Sequence, residues 1–349
     1  KGMYELKKLF ASVCALTLLL AGCASSKSDE VVKVYNWGDY IAPGVVEKFE
    51  QETGIKVVYD TFETNEDMYL KIKNSTGYTY DVVIPSDYMI SKMKAEDMLA
   101  DIDFANVPNA AGIDPKFNGL SYDPEGKYSV PYMWGTVCLA YCPELVSDPV
   151  DSWSILWNPK YEKKIFMMNS ERDSIGVALK LLGYSLNTTN LDELNAAKQK
   201  LIEQKPLVLS YTGDNIKDLL IGREGAIGVL WSCDIGIIQE QDESIQYALP
   251  KEGTNVWFDA AVILKNAENK GNAEKFIDFL CRPDIALENA DYMASCSPVD
   301  EAAKQQDESI TSNPITNPTA EDMKNMEIFL PMGDMASTYE MIWSDVSAS

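Results

Sequence analysis

The chain has 349 residues, of which 46% are hydrophobic and 24% charged, and this composition excludes a collagenous, disordered or polytopic membrane protein. Asp and Glu outnumber Lys and Arg by 54 to 30, and the net charge of −24 argues against a nucleic-acid partner. The sequence contains no histidine, which excludes His-ligated zinc, Ser-His-Asp nucleophiles and histidine general bases. It also contains no glycine-rich phosphate-binding motif.

The start of the chain has the features of a secretory signal. Three lysines fall within the first eight residues, and the apolar run at 9–20 is too short to span a bilayer. The Leu-Ala-Gly-Cys sequence that ends at Cys23 resembles a bacterial lipobox. We therefore expect a signal peptide at 1–22, a lipidated tether at 23–28, and a lipid on Cys23. This anchor would hold the protein at the outer face of the cytoplasmic membrane or in the periplasm. The alternative is an ordinary secretory signal with a chance cysteine.

The next part of the chain alternates between strands and helices. The pattern predicts strands at 31–35, 55–62 and 81–84, and helices at 43–53, 65–73 and 89–99. Pro43 can occupy the first turn of its helix, and Gly54 can end that helix. The alternation indicates a parallel sheet in an α/β domain.

The alternation restarts after an extended apolar stretch at 128–141. Strands are predicted at 165–168, 207–211, 226–231 and 259–264, and helices at 171–182, 191–204 and 273–280. Ser170 can cap the first of these helices, with Asp173 at the third helical position of a capping box and Gly183 after its end. Nothing marks a single break, so the pattern favours two α/β lobes between which the chain crosses more than once.

Aromatic and acidic residues recur where the predicted strands end, which is where open α/β sheets bind ligands. The candidate binding residues are Trp37, Asp39, Tyr40, Ser86, Tyr88, Ser170, Glu171, Asp173, Trp231, Trp257 and Asp259. Taken singly, each could be an ordinary cap, turn or core residue. Together, aromatic faces and carboxylates fit a ligand with several amines joined by short alkyl links.

Five cysteines follow Cys23, and an odd number cannot all pair within one chain. They are Cys138, Cys142, Cys233, Cys281 and Cys296. Their spacing indicates no zinc cluster, and we expect buried free thiols with room for at most one disulfide of unassigned partners. No metal or other cofactor is expected.

Seven segments along the chain resemble the spermidine/putrescine-binding proteins of polyamine ABC importers. In order they are VYNWGDYIAPG at 34–44, ETGIKV at 52–57, YDVVIPS at 80–86, PYMWG at 131–135, LGYS at 182–185, LPKEG at 249–253 and LCRPD at 280–284. The resemblance covers nearly the whole chain after the signal. It implies a type II periplasmic-binding-protein fold with the ligand in a cleft between two α/β lobes. The first lobe would take 29–134 and 259–304, and the second 135–258 and 305–349.

The resemblance also implies roles for the candidate residues. Trp37 would form a wall of the site, Tyr40 would close on the ligand, and Asp259 would be the main carboxylate for an amine beside Trp257. Ser86, Tyr88, Trp231 and the acidic helix start at 170–173 match further binding positions. The protein would be a monomer that catalyses no reaction and delivers a polyamine to a permease pair and its cytoplasmic ATPase.

The sequence departs from the family pattern at several of these positions. Gly38 stands where Ser or Thr is frequent, Ser170 replaces one acidic residue, and Asp173 is shorter than the usual Glu. A late binding Tyr is replaced near Ser295, and Phe329 stands where Gln is common. These changes leave the choice between spermidine and putrescine open.

Two other classes of function stay open at this point. One is a solute-binding protein for another cationic ligand, such as ferric ion or a basic amino acid. The other is a glycoside hydrolase that uses paired carboxylates.

Overall fold

The computed structural model describes residues 30–75, 80–213 and 215–349, so Cys23 and the predicted signal and tether lie outside the described residues. In this part of the chain the strands join into one mixed sheet in the order β2-β1-β3-β9-β4-β7-β5-β6, with β8 beside β4. The strands are β1 Val31–Trp37, β2 Lys56–Phe62, β3 Val82–Val83, β4 Ser129–Tyr141, β5 Ile165–Met168, β6 Val208–Thr212, β7 Ile227–Trp231, β8 Gln246–Ala248 and β9 Val256–Ile263.

The sheet consists of two parallel parts joined by long antiparallel strands. β1 is parallel to β2 and β3, and β5 is parallel to β6 and β7. The first part of β4, 129–136, pairs with β9, and its last part, 137–141, pairs with β7. β4 therefore passes from one half of the sheet to the other at Thr136 and Val137. This confirms the predicted α/β class, while the limits of the two lobes remain a prediction.

Helices cover both parallel parts of the sheet. They are α1 Val45–Thr53, α2 Asn65–Asn74, α3 Asp87–Ala95, α4 Glu171–Leu181, α5 Leu191–Gln204, α6 Ile216–Ile221, α7 Ser232–Gln241, α8 Lys270–Leu280, α9 Pro283–Tyr292, α10 Asp300–Ala303, α11 Glu308–Thr311 and α12 Ala336–Ala348. Among the described residues, no helix is both long and apolar enough to span a membrane.

Several predicted boundaries are confirmed because a cap determines them locally. Gly54 adopts a left-handed conformation directly after α1, with a φ of 74°. The Ser170 side chain accepts a hydrogen bond from the Asp173 N–H at the start of α4, and Gly183 follows the helix with a φ of 78°.

Several other predicted boundaries were wrong. Helix α1 begins at Val45 rather than Pro43, because Gly44 is left-handed with a φ of 87°. Helix α3 begins two residues earlier than predicted and ends at Ala95 rather than Leu99. β9 begins at Val256 rather than Asp259, because the chain there already pairs with β4.

None of the five described cysteines forms a disulfide. Cys138, Cys142, Cys281 and Cys296 are buried, and Cys233 is half-buried. Burial raises the pKa of the Cys142 thiol to about 11, and the same cause raises the pKa of Cys138 and Cys281. The four buried thiols are therefore protonated packing groups.

Candidate functional site

The Asp259 carboxylate is buried at the centre of the candidate site. It lies on β9 with its residue 5% exposed, and its Oδ2 accepts a hydrogen bond of 2.6 Å from the Tyr40 hydroxyl. Among the described residues, its Oδ1 has no hydrogen-bond partner. Burial raises the pKa of Asp259 to about 6, against the opposing effects of the Tyr40 and Ser86 hydroxyls. A buried carboxylate with an unpaired oxygen is suited to bind a cation.

The loop after β1 places Tyr40 against this carboxylate. Asp39 turns the chain with a left-handed φ of 42° and is itself exposed. The Tyr132 hydroxyl on β4 donates a hydrogen bond of 2.6 Å to the Tyr40 carbonyl, which holds the loop against the sheet. The geometry of Asp39 is that of a turn residue, whereas Tyr40 reaches the site.

The start of α3 forms a second wall. Ser86 forms an isolated antiparallel bridge with Asp259, and its Oγ accepts a hydrogen bond of 3.1 Å from the Asn65 amide. The neighbouring Asp87 is 1% exposed and accepts hydrogen bonds from the N–H groups of Tyr88 and Phe258 at 2.6 and 3.3 Å. Burial raises the pKa of Asp87 well above its usual range, and the like charge of Asp259 raises it further.

Three tryptophans border this region. Trp257 is 7% exposed, and its Nε1 donates a hydrogen bond of 3.1 Å to the Thr136 carbonyl, where β4 changes partners. The Trp37 ring packs 4.5 Å from the Phe62 ring, and its buried Nε1 has no partner among the described residues. Trp231 is half-buried at the end of β7, opposite Val137.

The alternation along β9 determines which side chains can meet. Trp257 and Asp259 are separated by one residue, so they lie on one face of the strand. The Phe258 ring lies on the other face, where it stacks 5.9 Å from the Trp134 ring. The predicted pairing of Trp257 with Asp259 is therefore compatible with the backbone, although both residues lie inside the strand rather than before it.

The other acidic group lies at the start of α4. The Ser170 hydroxyl donates a hydrogen bond of 2.6 Å to Asp173 Oδ2. Burial raises the pKa of Asp173 to about 6. Burial also raises the pKa of Glu171 to about 7, and the like charge of Glu66 adds to this effect. The charge of Arg172 lowers the pKa of both carboxyl groups, but by less than burial raises it.

Tyr88 and Arg172 connect the two halves of the sheet. The Tyr88 hydroxyl donates a hydrogen bond of 2.9 Å to Glu66 on α2. The Arg172 guanidinium on α4 lies 5.6 Å from the Tyr88 ring and 4.3 Å from the Phe329 ring. Its NH1 donates to the Leu330 carbonyl at 3.1 Å. The α3 and α4 helices thus bring these two side chains close together.

The structure therefore joins the predicted residues into two groups, with Tyr88 between them. Tyr40, Ser86 and Asp259 form one group, and Ser170 and Asp173 form the other. The candidate binding residues selected from the sequence do not include Glu66, Asp87 or Arg172. Glu66 and Asp87 each follow a predicted strand closely, so the rule that selected the other candidates could have included them. Within the described ranges, no group of three acidic or cysteine side chains is placed to hold a metal ion.

Comparison with known proteins gives a consistent result. The family description "bacterial extracellular solute-binding protein" matches residues 44–319. The spermidine/putrescine-binding periplasmic protein of Escherichia coli is 34% identical over 98% of this chain and 99% of its own length. The putrescine-binding periplasmic protein SpuD of Pseudomonas aeruginosa is 33% identical over 93% and 94%. The solved structure of the spermidine/putrescine ABC transporter substrate-binding protein PotD of Streptococcus pneumoniae is 36% identical, covers 91% of this chain and 99% of its own, and superposes with a TM-score of 0.79.

Proposed function

Because the chain belongs to the family of bacterial extracellular solute-binding proteins, we propose that it captures a polyamine outside the cytoplasm and delivers it to an ABC permease. The ligand is spermidine, putrescine or both. The observation that carries this proposal is the buried Asp259 carboxylate, whose unpaired oxygen lies in a site walled by aromatic side chains.

The chemistry of the site fits a polyamine at both ends. The Asp259 carboxylate would neutralise one ammonium group, and Asp173 with Glu171 would attract another from the start of α4. Aromatic rings such as Tyr40, Tyr88 and Trp257 offer faces that attract ammonium groups and pack against methylene chains. A neutral or anionic ligand would leave the buried Asp259 carboxylate without a counter-charge, which is costly.

Binding in such a cleft favours closure of the two lobes. We place the first lobe at 29–134 and 259–304 and the second at 135–258 and 305–349. A ligand that contacts Asp259 on one side and Asp173 on the other binds the closed form more tightly than the open form. It stabilises the closed form by the difference between these two binding free energies. The closed monomer would then present its ligand to the permease pair, whose ATPase drives uptake, and would itself catalyse no reaction.

Calorimetric titration of the purified protein tests this proposal. We expect saturable binding of spermidine or putrescine with one site per chain, and recovery of the polyamine unchanged. Ferric ion, arginine and lysine serve as comparison ligands because they represent the other cationic solutes. Tighter binding of any of these than of both polyamines would contradict the proposal, as would turnover of an oligosaccharide.

A further inference from the structure

Two buried aspartates, Asp87 and Asp259, lie on backbone segments that contact each other at the candidate site. The backbone bridge between Ser86 and Asp259 brings the start of α3 against β9. Asp87 follows directly, and its Oδ2 accepts the Phe258 N–H at 3.3 Å, next to Asp259 in the chain. Asp87 and Asp259 are 1% and 5% exposed, so water cannot screen their charges effectively.

The groups around this pair do not supply a neutralising cation in contact with it. The loop after β1 contributes the neutral Tyr40 hydroxyl and the start of α3 contributes the neutral Ser86 hydroxyl, both of which stabilise the charged form of Asp259. The Tyr122 hydroxyl also lies near enough to interact with both carboxylates. The Arg172 guanidinium on α4 lowers the pKa of Asp87, but by less than burial raises it. Among the described residues, no salt bridge includes either Asp87 or Asp259. Two such carboxylates cannot both be charged without a large cost.

We propose that Asp87 is a positioning residue for the ligand, and that the Asp87–Asp259 pair holds one proton in the empty cleft which a ligand ammonium displaces. This inference rests on the proposed polyamine function and deepens it. In the exchange, the O–H bond of one carboxylic acid breaks and its proton passes to solvent. The ammonium then binds the resulting carboxylate at Asp259, while Asp87 acts through Asp259 by keeping the local charge negative. The pair with one proton carries a net charge of about −1, and the pair with no proton and one bound ammonium group carries the same net charge. Binding therefore leaves the net charge of the buried group unchanged.

The unpaired Oδ1 of Asp259 shows where the ammonium would bind, since Tyr40 already donates to Oδ2 and the Asp87 oxygens accept backbone N–H groups. Asp87 thus has no free oxygen directed to the ligand by these contacts. Its contribution is electrostatic, which distinguishes it from the ligand-contacting role of Asp259.

Calorimetry in two buffers of different ionisation enthalpy measures the number of protons released on binding. We expect the wild-type protein to release between about half a proton and one proton per putrescine or spermidine from this pair at pH 6.5. Asp87→Asn should lower the release by at least about half a proton and flatten the pH dependence of affinity. Glu171→Gln removes a separate titrating group. In this background, Asp87→Asn should lower the number of protons released by the same amount as it does in the wild-type protein. Asp101→Asn, at an exposed position, is the matched control with wild-type behaviour.

Infrared difference spectroscopy on the wild-type protein covers the case in which Asp87→Asn does not fold. Addition of putrescine should remove a carbonyl band of a protonated carboxylic acid. Polyamine binding without proton release, or equal release from wild type and Asp87→Asn, would overturn the inference and leave the proposed function standing. Persistence of the carboxylic acid band when putrescine binds would also overturn the inference about Asp87 without contradicting polyamine binding. A wild-type protein that binds no polyamine would instead overturn the proposed function.

Discussion

The Tyr40 hydroxyl donates a 2.6 Å hydrogen bond to Asp259 Oδ2, although 219 positions separate the two residues in the chain. The bond joins the loop after β1 to β9 and satisfies one carboxylate oxygen, while the other has no hydrogen-bond partner within the described part of the chain. This asymmetry orients Asp259, because rotation of its carboxylate would break the bond to Tyr40. A ligand ammonium therefore meets an acceptor that is already in place.

Replacement of Asp259 by Asn should weaken polyamine binding strongly at pH 7.5. Removal of one partner of a buried charge pair costs about 2–5 kcal/mol, or between about thirty-fold and several-thousand-fold in affinity. Titration calorimetry at low and high salt measures the change, and we expect high salt to leave it largely intact. Asp39→Asn is the matched control because Asp39 is exposed; its effect should stay below about threefold and vanish in salt. A small effect of Asp259→Asn that salt erases would place Asp259 outside the site.

Trp257→Ala and Trp37→Ala should each weaken polyamine binding, since a cation–π contact contributes about 0.5–2 kcal/mol. Trp257→Ala should also lower the thermal stability, because truncation of a buried tryptophan costs about 3–5 kcal/mol. Trp257→Phe keeps an aromatic face and loses only the hydrogen bond to the Thr136 carbonyl, so it separates binding from folding. Unchanged affinity in both alanine variants, with the fold intact, would assign these rings to packing alone.

The stabilisation of the protein by a polyamine should increase between pH 5 and pH 7.5. Burial raises the pKa of Asp259 and Asp173 to about 6 and that of Glu171 to about 7, above the values of exposed carboxyl groups. The empty folded protein therefore holds more protons at these groups than the unfolded chain, and their contribution to stability is lost as the pH rises through 6 to 7. A bound polyamine compensates the charges that form.

Melting temperatures with and without saturating putrescine, measured across this pH range, test that expectation. Glu171→Gln and Asp173→Asn should flatten the dependence because each removes one titrating carboxyl group. If putrescine raised the melting temperature by the same amount at pH 5 and pH 7.5, the expected pH dependence would be contradicted.

Gly135→Ala should destabilise the protein and weaken ligand binding together. A Cβ at this position would lie 2.6 Å from Trp257 Cζ2 and would also collide with the Ser232 hydroxyl. Overpacking of this kind costs about 1–3 kcal/mol, and it would displace the Trp257 ring from the site. Gly38→Ala is the matched control, because its Cβ would meet no atom within 4 Å, and its effect on stability should stay within about 0.5 kcal/mol. Equal melting temperatures for the two variants would refute the steric argument.

Cys23→Ser should release the protein from membranes when it is expressed in a bacterial host that processes lipoproteins. The prediction follows from the Leu-Ala-Gly-Cys sequence and from the apolar run before it. Fractionation of cells followed by immunoblotting measures the release. Mass spectrometry of the native protein provides the direct check, and an unmodified Cys23 would contradict lipid anchoring.

The amino-acid sequence by itself determined the local elements of this protein and the chemical class of its site. The cap at Ser170 and the end of α1 at Gly54 follow from interactions within four residues, so pattern reasoning places them correctly. The recurrence of aromatic and acidic residues at strand ends indicated a cationic ligand, because those residue types suit ammonium groups whatever the exact geometry.

Only the tertiary structure decided which of those residues meet. The start of β9 depends on pairing with β4, more than 100 residues away, so local pattern placed it three residues late. Asp87 looks like an ordinary polar residue at a helix start, and only the tertiary structure shows that it is buried and accepts a hydrogen bond from the Phe258 N–H, next to Asp259 in the chain. Arg172 likewise acquires its contact with Tyr88 from the approach of α4 to α3. Burial and contact between distant segments arise from the packing of the whole chain, and no short stretch of sequence contains that information.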